Sequence, residues 1–213
     1  MAMYRPEARI MLQPIAAPSV LGNFALGSAL IIYGSWFAGG WGTEQDVSSF
    51  FPFLLFFGGL GQLAAALWAY RARGAATAAF HGSWAAFWLG MSLMFLLVTT
   101  HSITTPARGD AWQSLGQWMI YMAVVSLTTA FAALAHSGPT FLTQATLAVG
   151  AAIAAAGLLA PSMSAQHVAG WFFVAAGTLA FFAGASLMLG AVSGKVGEPV
   201  QFAHGDPGVK VGQ

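Results

Sequence analysis

Long apolar runs separated by short polar segments dominate the pattern along this chain of 213 residues. The runs are continuous rather than alternating, and most reach the length of about 20 residues that an α-helix needs to cross a bilayer. Breaks coincide with glycine and proline, at Gly39-Gly40, Gly74, Pro106, Gly138-Pro139 and Pro161. The pattern predicts six membrane-spanning helices, at residues 19–38, 50–70, 76–99, 113–135, 141–159 and 168–192.

The composition supports this interpretation, since 58% of the residues are hydrophobic and only 6% are charged. A soluble domain usually has about 25% charged residues. No Asp, Glu, Lys or Arg lies between Asp110 and Lys195, a stretch long enough for three spans. A signal peptide would be followed by a polar chain, and a membrane β-barrel would show alternating strands. The sequence therefore predicts an all-α, multi-pass integral membrane protein with a bundle of six helices.

The distribution of Lys and Arg predicts the orientation of the bundle. With six spans both termini lie on one side, which then receives Arg5, Arg9, Arg71, Arg73, Lys195 and Lys210. Arg108 alone lies opposite, so the positive-inside rule predicts cytoplasmic termini in a cell (inner or plasma) membrane. We expect a cytoplasmic N-terminal segment at residues 1–17, the transmembrane domain at 18–193, and a cytoplasmic C-terminal tail at 194–213.

Several kinds of chemistry are not expected from this sequence. The net charge of +1 provides no basic patch for nucleic acid, and the absence of Cys excludes thiol chemistry. No second His or carboxylate lies at metal-ligand spacing from His81, and no nucleophile–base pair or phosphate-binding glycine loop is found. We therefore predict a protein that is not an enzyme and needs neither a metal nor another cofactor.

The spans contain few polar residues and no fixed charge. Lipid cannot satisfy the amides of Asn23 and Gln62, so we expect both to face the bundle or water. Pro18 and Ser19 begin the first helix, whose N–H groups would suit a path entrance for an anion. His81 lies deep in the third span, on one face with Thr77, Trp84 and Trp88. It is either a neutral core histidine bonded to a carbonyl or a residue beside a path.

Three blocks of sequence resemble the acetate uptake transporter family, which includes the bacterial succinate–acetate permeases. They are "AAPSVLGNFALGSALI" (16–31), "FFGGLGQLAAALWAYRARGAATAAFHGSWAAFWL" (56–89) and "HVAGW" (167–171). They are similar to the family's signature before its first helix, its Gly-Gly-x-x-Gln helix with a third helix ending in Phe-Trp-Leu, and the start of its sixth helix. Ile15 and Ala16 depart from the family's Asn and first Pro, whereas Pro18 keeps the second Pro.

The resemblance implies cytoplasmic termini, a hexameric ring, and a path through each protomer for acetate and similar monocarboxylates, coupled to or accompanied by protons. The path would narrow at Phe24, Trp84 and Leu147, where Trp84 replaces the family's Tyr. Asn23, Gln62, His81 and Ser19 are then candidates for polar residues along the path.

Three functions are compatible with an uncharged interior. The first is passage of small monocarboxylates, since low pH supplies a neutral acid that needs no fixed charge. The second is a channel for a small neutral solute such as urea, a short amide or ammonia. The third is a membrane scaffold that transports nothing, for which tight packing of Gly and Ala would suffice.

Overall fold

The protein forms a bundle of long helices in a computed structural model that describes residues 16–43, 46–104 and 110–193. The described residues form α1 (Pro18–Phe37), α2 (Val47–Phe53), a π-helical segment (Leu54–Gly61), α3 (Gln62–Arg71), α4 (Ala75–Thr99), α5 (Gln113–Leu134), α6 (Gly138–Leu159) and α7 (Met163–Ser193). The pieces α2, π segment and α3 follow without a break and make one helix, hereafter the second span. Six helices of the described residues are therefore long and apolar enough to cross a membrane, as predicted. The predicted C-terminal tail and residues 1–15 of the N-terminal segment lie outside the described residues.

The six helices close into a ring in chain order. Each helix packs on the next one along the chain, and α7 returns to pack on α1. The seam between α4 and α5 is the least extensive of the packed seams in the ring, and a groove of about 480 Å³ lies there. Because Trp118 and Tyr121 line this groove and are exposed, it opens on the outer surface of the bundle.

Small residues allow α1 to approach both of its neighbours closely. A Cβ built on Gly58 would lie 3.0 Å from the Cβ of Ala29, and one built on Gly34 would lie 2.8 Å from the carbonyl oxygen of Gly170. Contacts this short need glycine, and they are typical of helices packed in lipid. Helix α1 is thus held between the second span and α7.

Two helices begin earlier than the sequence predicts because serine side chains cap them. The Oγ of Ser162 accepts a hydrogen bond from the Ala165 N–H at 3.3 Å, and α7 begins at Met163 rather than at 168. The Oγ of Ser137 accepts from the Thr140 N–H at 3.3 Å, and α6 begins at Gly138 rather than at 141. Such caps satisfy N–H groups in the first turn. His167 consequently lies inside α7 and not at a loop edge.

The π segment is not predicted by the hydrophobic pattern. It follows Pro52, whose nitrogen cannot donate the α-helical hydrogen bond within α2. Gly58 and Gly59 of this segment lie directly against Trp88 and Leu89 of α4. Because short π-helical segments occur often at functional sites, the contact between this segment and α4 is a candidate part of the site.

Candidate functional site

Two tryptophans of α4 fill the interior of the bundle. Trp84 and Trp88 are 1% and 0% exposed, and their ring centroids lie 6.0 Å apart. The Nε1–H of Trp84 donates to the Oγ of Ser126 on α5 at 3.1 Å. Trp88 instead packs its ring against Tyr33 of α1, edge to face, with centroids 5.5 Å apart. Aromatic rings of α4 therefore reach helices on both sides.

Leu147 of α6 and Trp84 of α4 occupy corresponding positions along their helices. Each residue is nine positions past the first residue of its helix, which is about 14 Å along the axis at 1.5 Å per residue. The third and fifth spans run in the same direction. Both side chains are buried. Leu147 shares the buried face of α6 with Ala151 and Ala154.

Phe24 does not join this interior group. Its side chain is only partly buried, and its ring packs against Phe181 of α7 with centroids 5.6 Å apart. Leu26 is fully buried on α1. Two positions along an α-helix correspond to a rotation of about 200°, so Phe24 and Leu26 point to very different sides. Phe24 thus packs toward α7, and its place in a constriction stays a prediction, for which the fully buried Leu26 is the alternative on α1.

A chain of hydrogen bonds connects His81 to the π segment. The Nδ1 of His81 lies 3.2 Å from the Oε1 of Gln62. The Nε2–H of Gln62 in turn donates to the carbonyl oxygen of Gly58 at 3.1 Å. Gln62 and His81 are both buried, and the backbone of Gly22 on α1 packs against the imidazole. His81 is thus bonded to a side-chain amide rather than to a carbonyl of the main chain.

Other polar side chains lie toward the end of the bundle where α1, α4 and α6 begin. Asn23 of α1 and Gln144 of α6 are both 5% exposed, and neither faces lipid. Ser19 lies in the first turn of α1 and is partly buried. The Oε1 of Gln144 and the Nε1 of Trp88 have no hydrogen-bond partner within the described part of the chain. Buried polar atoms of this kind are natural contacts for water or a solute.

The described residues contain no cluster of His, Asp and Glu that could hold a metal ion. Within the described spans, the only ionisable groups between the helix ends are His81, His167 and tyrosines. The interior can therefore contribute hydrogen bonds and aromatic surfaces to a solute, but no fixed charge.

Ser126 and Leu26 belong to the interior and were missed as site residues from the sequence. Ser126 is 42 positions from its partner Trp84, and nothing in the sequence around either residue indicates the contact. Gln144 was likewise not assigned to a site from the sequence. The available signal for its burial was the side-chain amide, for which lipid provides no hydrogen-bond partner.

The bundle has the fold of a membrane channel. It matches the solved structure of the bacterial acetate channel SatP with a TM-score of 0.76 and 23% sequence identity. The match covers 87% of this chain and 99% of the SatP chain.

The protein belongs to the GPR1/FUN34/yaaH family, whose model matches residues 3–193. This membership and the fold confirm the acetate uptake transporter family that the three sequence blocks resemble. A comparison with curated proteins finds no match.

Proposed function

We propose that the protein is a channel or transporter for acetate and similar small monocarboxylates, with or without coupling to protons. The observation that carries this proposal is an interior rich in aromatic rings and hydrogen-bonding groups but free of Asp, Glu, Lys and Arg between the ends of the described spans. Membership of the family and the similarity to an acetate channel support the choice of solute.

The protonation state of the solute explains why no fixed charge is needed. A bare carboxylate in a dry interior without a partner is very costly, whereas a neutral acid requires only hydrogen bonds. With a pKa near 4.3, as for a Glu side chain, about one molecule in 500 is neutral at pH 7 and about one in six at pH 5. Acidic conditions on one side would therefore promote passage from that side.

The proposed constriction is formed by Trp84 of α4, Leu147 of α6 and Leu26 of α1. Trp84 and Leu147 are each nine positions past the start of their helices, and all three side chains are almost completely buried. The Ser126 hydroxyl orients the indole of Trp84 through the 3.1 Å hydrogen bond. A solute would pass this level when the side chains move apart, and their apolar surfaces would select for small size.

The orientation and assembly follow from the sequence and the family. We propose cytoplasmic termini in an inner or plasma membrane, a transmembrane domain at residues 18–193 between the segments 1–17 and 194–213, and a hexameric ring. Because the chain lacks Cys, single Cys residues introduced at His101 and His136 would be unique labels for the two membrane sides. The topology predicts that only His136→Cys reacts with an impermeant thiol reagent added to the cytoplasmic side. Native mass spectrometry would measure the ring size.

A small neutral solute such as urea is the second candidate. The adjacent indoles of Trp84 and Trp88 would provide flat surfaces for a planar amide, and the buried amide of Gln144 offers an unpartnered oxygen. Such a solute, like the neutral acid, needs no fixed charge.

The test is uptake by liposomes that contain the purified protein, with labelled acetate and labelled urea measured in parallel. The proposal predicts acetate uptake above that of protein-free liposomes and a rise as the external pH falls from 7 to 5. Uptake of urea without acetate would replace the first candidate by the second. Uptake of neither solute would favour the third alternative, a membrane scaffold that transports nothing.

A further inference from the structure

The hydrogen bonds around Gln62 fix which nitrogen of His81 carries the proton. Gln62 donates through Nε2 to the Gly58 carbonyl oxygen at 3.1 Å, so its Oε1 is the atom turned toward His81. An amide oxygen can only accept. The Nδ1 of His81, 3.2 Å away, must therefore be the donor. In a neutral imidazole the other nitrogen, Nε2, is then an acceptor with a free lone pair.

The surroundings of the ring leave this acceptor without a partner. A Cβ built on Gly22 would lie 2.5, 2.6 and 2.7 Å from Nε2, Cε1 and Cδ2. Nearly equal distances to three ring atoms place Gly22 over the face of the imidazole rather than at its edge. The lone pair of Nε2 lies in the ring plane, so the Gly22 backbone does not cover it. The hydrogen bond that the described residues form with the His81 side chain is the one at Nδ1, and the side chain is only 3% exposed.

Within the described part of the chain, the contacts of the ring include no charged side chain. Gln62 of the second span, Phe80 of α4 and the backbone of Gly22 contact the ring, and none of them carries a titratable group. An acceptor in such a place would attract a neutral donor and repel a carboxylate, whose two oxygens can only accept.

We propose that Nε2 of His81 is a binding site for the undissociated form of the transported acid, whose O–H donates a hydrogen bond to it. This inference rests on the proposed function and deepens it by assigning the protonation state of the bound solute. The O–H proton stays on the acid, and no bond is broken. Gln62 is the positioning residue, because its bond to Nδ1 keeps the lone pair on Nε2. Gly22 is required because any side chain there would collide with the ring.

The first measurement needs no transport and reports the tautomer directly. In protein labelled with ¹⁵N-histidine, NMR distinguishes a protonated from an unprotonated ring nitrogen. The inference predicts a neutral His81 with Nδ1 protonated and Nε2 unprotonated, and the opposite tautomer would overturn it. Gln62→Met removes the acceptor for Nδ1 and is expected to shift the population toward the Nε2–H form.

The second measurement is acetate uptake by liposomes at pH 5.0 and pH 6.5, with total acetate adjusted so that the undissociated acid is equal. Wild-type rates are expected to be equal under these conditions, whereas rates that follow the anion overturn the inference. His81→Leu should raise the KM for the undissociated acid about fivefold, as expected for one lost hydrogen bond. His136→Leu, a histidine exposed in the α5–α6 loop, is the matched control and should leave the KM unchanged.

Failures of the two proposals are distinguishable. Absence of acetate uptake by the wild-type protein removes the proposed function, whatever the tautomer of His81. Normal uptake with an unchanged KM in His81→Leu would be consistent with the proposed function and would refute the binding site at Nε2 of His81. If His81→Leu does not fold, Gln62→Met provides the comparison, because its KM should rise while His81 is still present. An unchanged KM in Gln62→Met, with the tautomer shifted, would also overturn the inference.

Discussion

Replacing Trp84 by Ala should widen the proposed constriction and change which acids pass. The side chain is one of the largest that are fully buried, and it reaches from α4 to Ser126 on α5. Truncating a buried aromatic residue costs about 3–5 kcal/mol of stability. The loss of the hydrogen bond to Ser126 contributes about 1 kcal/mol of that total. Trp84→Phe keeps a ring in the interior and should cost much less.

The effect on selectivity follows from the size of the removed side chain. One methylene group that does not fit an apolar site is worth about 1–3 kcal/mol, or roughly 10- to 200-fold in rate. We therefore expect the ratio of butyrate to acetate uptake to rise at least about tenfold in Trp84→Ala. In Trp84→Phe the ratio should rise less, because an aromatic ring still occupies part of the space that the indole fills.

The assay is uptake of labelled acetate and butyrate by liposomes at one pH, after thermal unfolding in detergent has shown that each variant is folded. Trp171→Ala is the matched control, since Trp171 lies on α7 and is 56% exposed. A folded Trp84→Ala protein with the wild-type ratio would mean that Trp84 only packs, and the proposed constriction would be wrong.

Two further predictions concern stability. Gly34→Ala places a Cβ 2.8 Å from the backbone oxygen of Gly170, so the variant should unfold at a clearly lower temperature than the wild type. The control is Gly90→Ala, because a Cβ built on Gly90 has no other atom within 4 Å. This substitution should be neutral or slightly stabilising. In the α1–α2 loop, hydrogen bonds from the backbone N–H and then the hydroxyl of Thr43 hold the pKa of Asp46 below its usual range. Because the pKa of Asp46 is lowered in the folded state, its hydrogen bonds with Thr43 stabilise the fold fully at a pH above the usual pKa of about 3.9. This stabilisation is lost as the pH falls through the lowered pKa. NMR titration of the Thr43 amide should therefore give a midpoint below 3.9, and a midpoint at or above it would contradict the loop geometry.

The number and the approximate positions of the spans could be predicted from the sequence because they depend on composition alone. A stretch of about 20 apolar residues has few alternatives to a transmembrane helix. The helix starts at Gly138 and Met163 were predicted several residues late, because the capping bonds of Ser137 and Ser162 depend on local geometry. The polar nature of a loop serine does not reveal where the helix begins.

The interior contacts were much less accessible to sequence reasoning. Burial of Asn23 and Gln62 is expected for amides in lipid, and both are buried in the structure. The assignment of Phe24 to the path rests on the family resemblance alone, and its ring packs against Phe181 instead of being fully buried like Leu26. The bond between Trp84 and Ser126 joins helices that are adjacent only after folding. Local pattern carries no information about such pairs.

The π segment lets the second span hold one residue more than a continuous α-helix with the same ends. Each N–H in a π-helix bonds the carbonyl five positions back, so the segment accommodates an additional residue that an α-helix would not. Deleting one residue between 54 and 61 would allow a continuous α-helix and would leave Gln62 and the later residues on nearly the same face, because the π turn already takes up the additional residue. If instead the π segment migrated along the helix past Gln62, with both ends of the span fixed, each residue that it passed would turn by about 100°, and Gln62 would leave His81. The second span therefore contains a means of turning single side chains in the interior while the ring of helices stays closed.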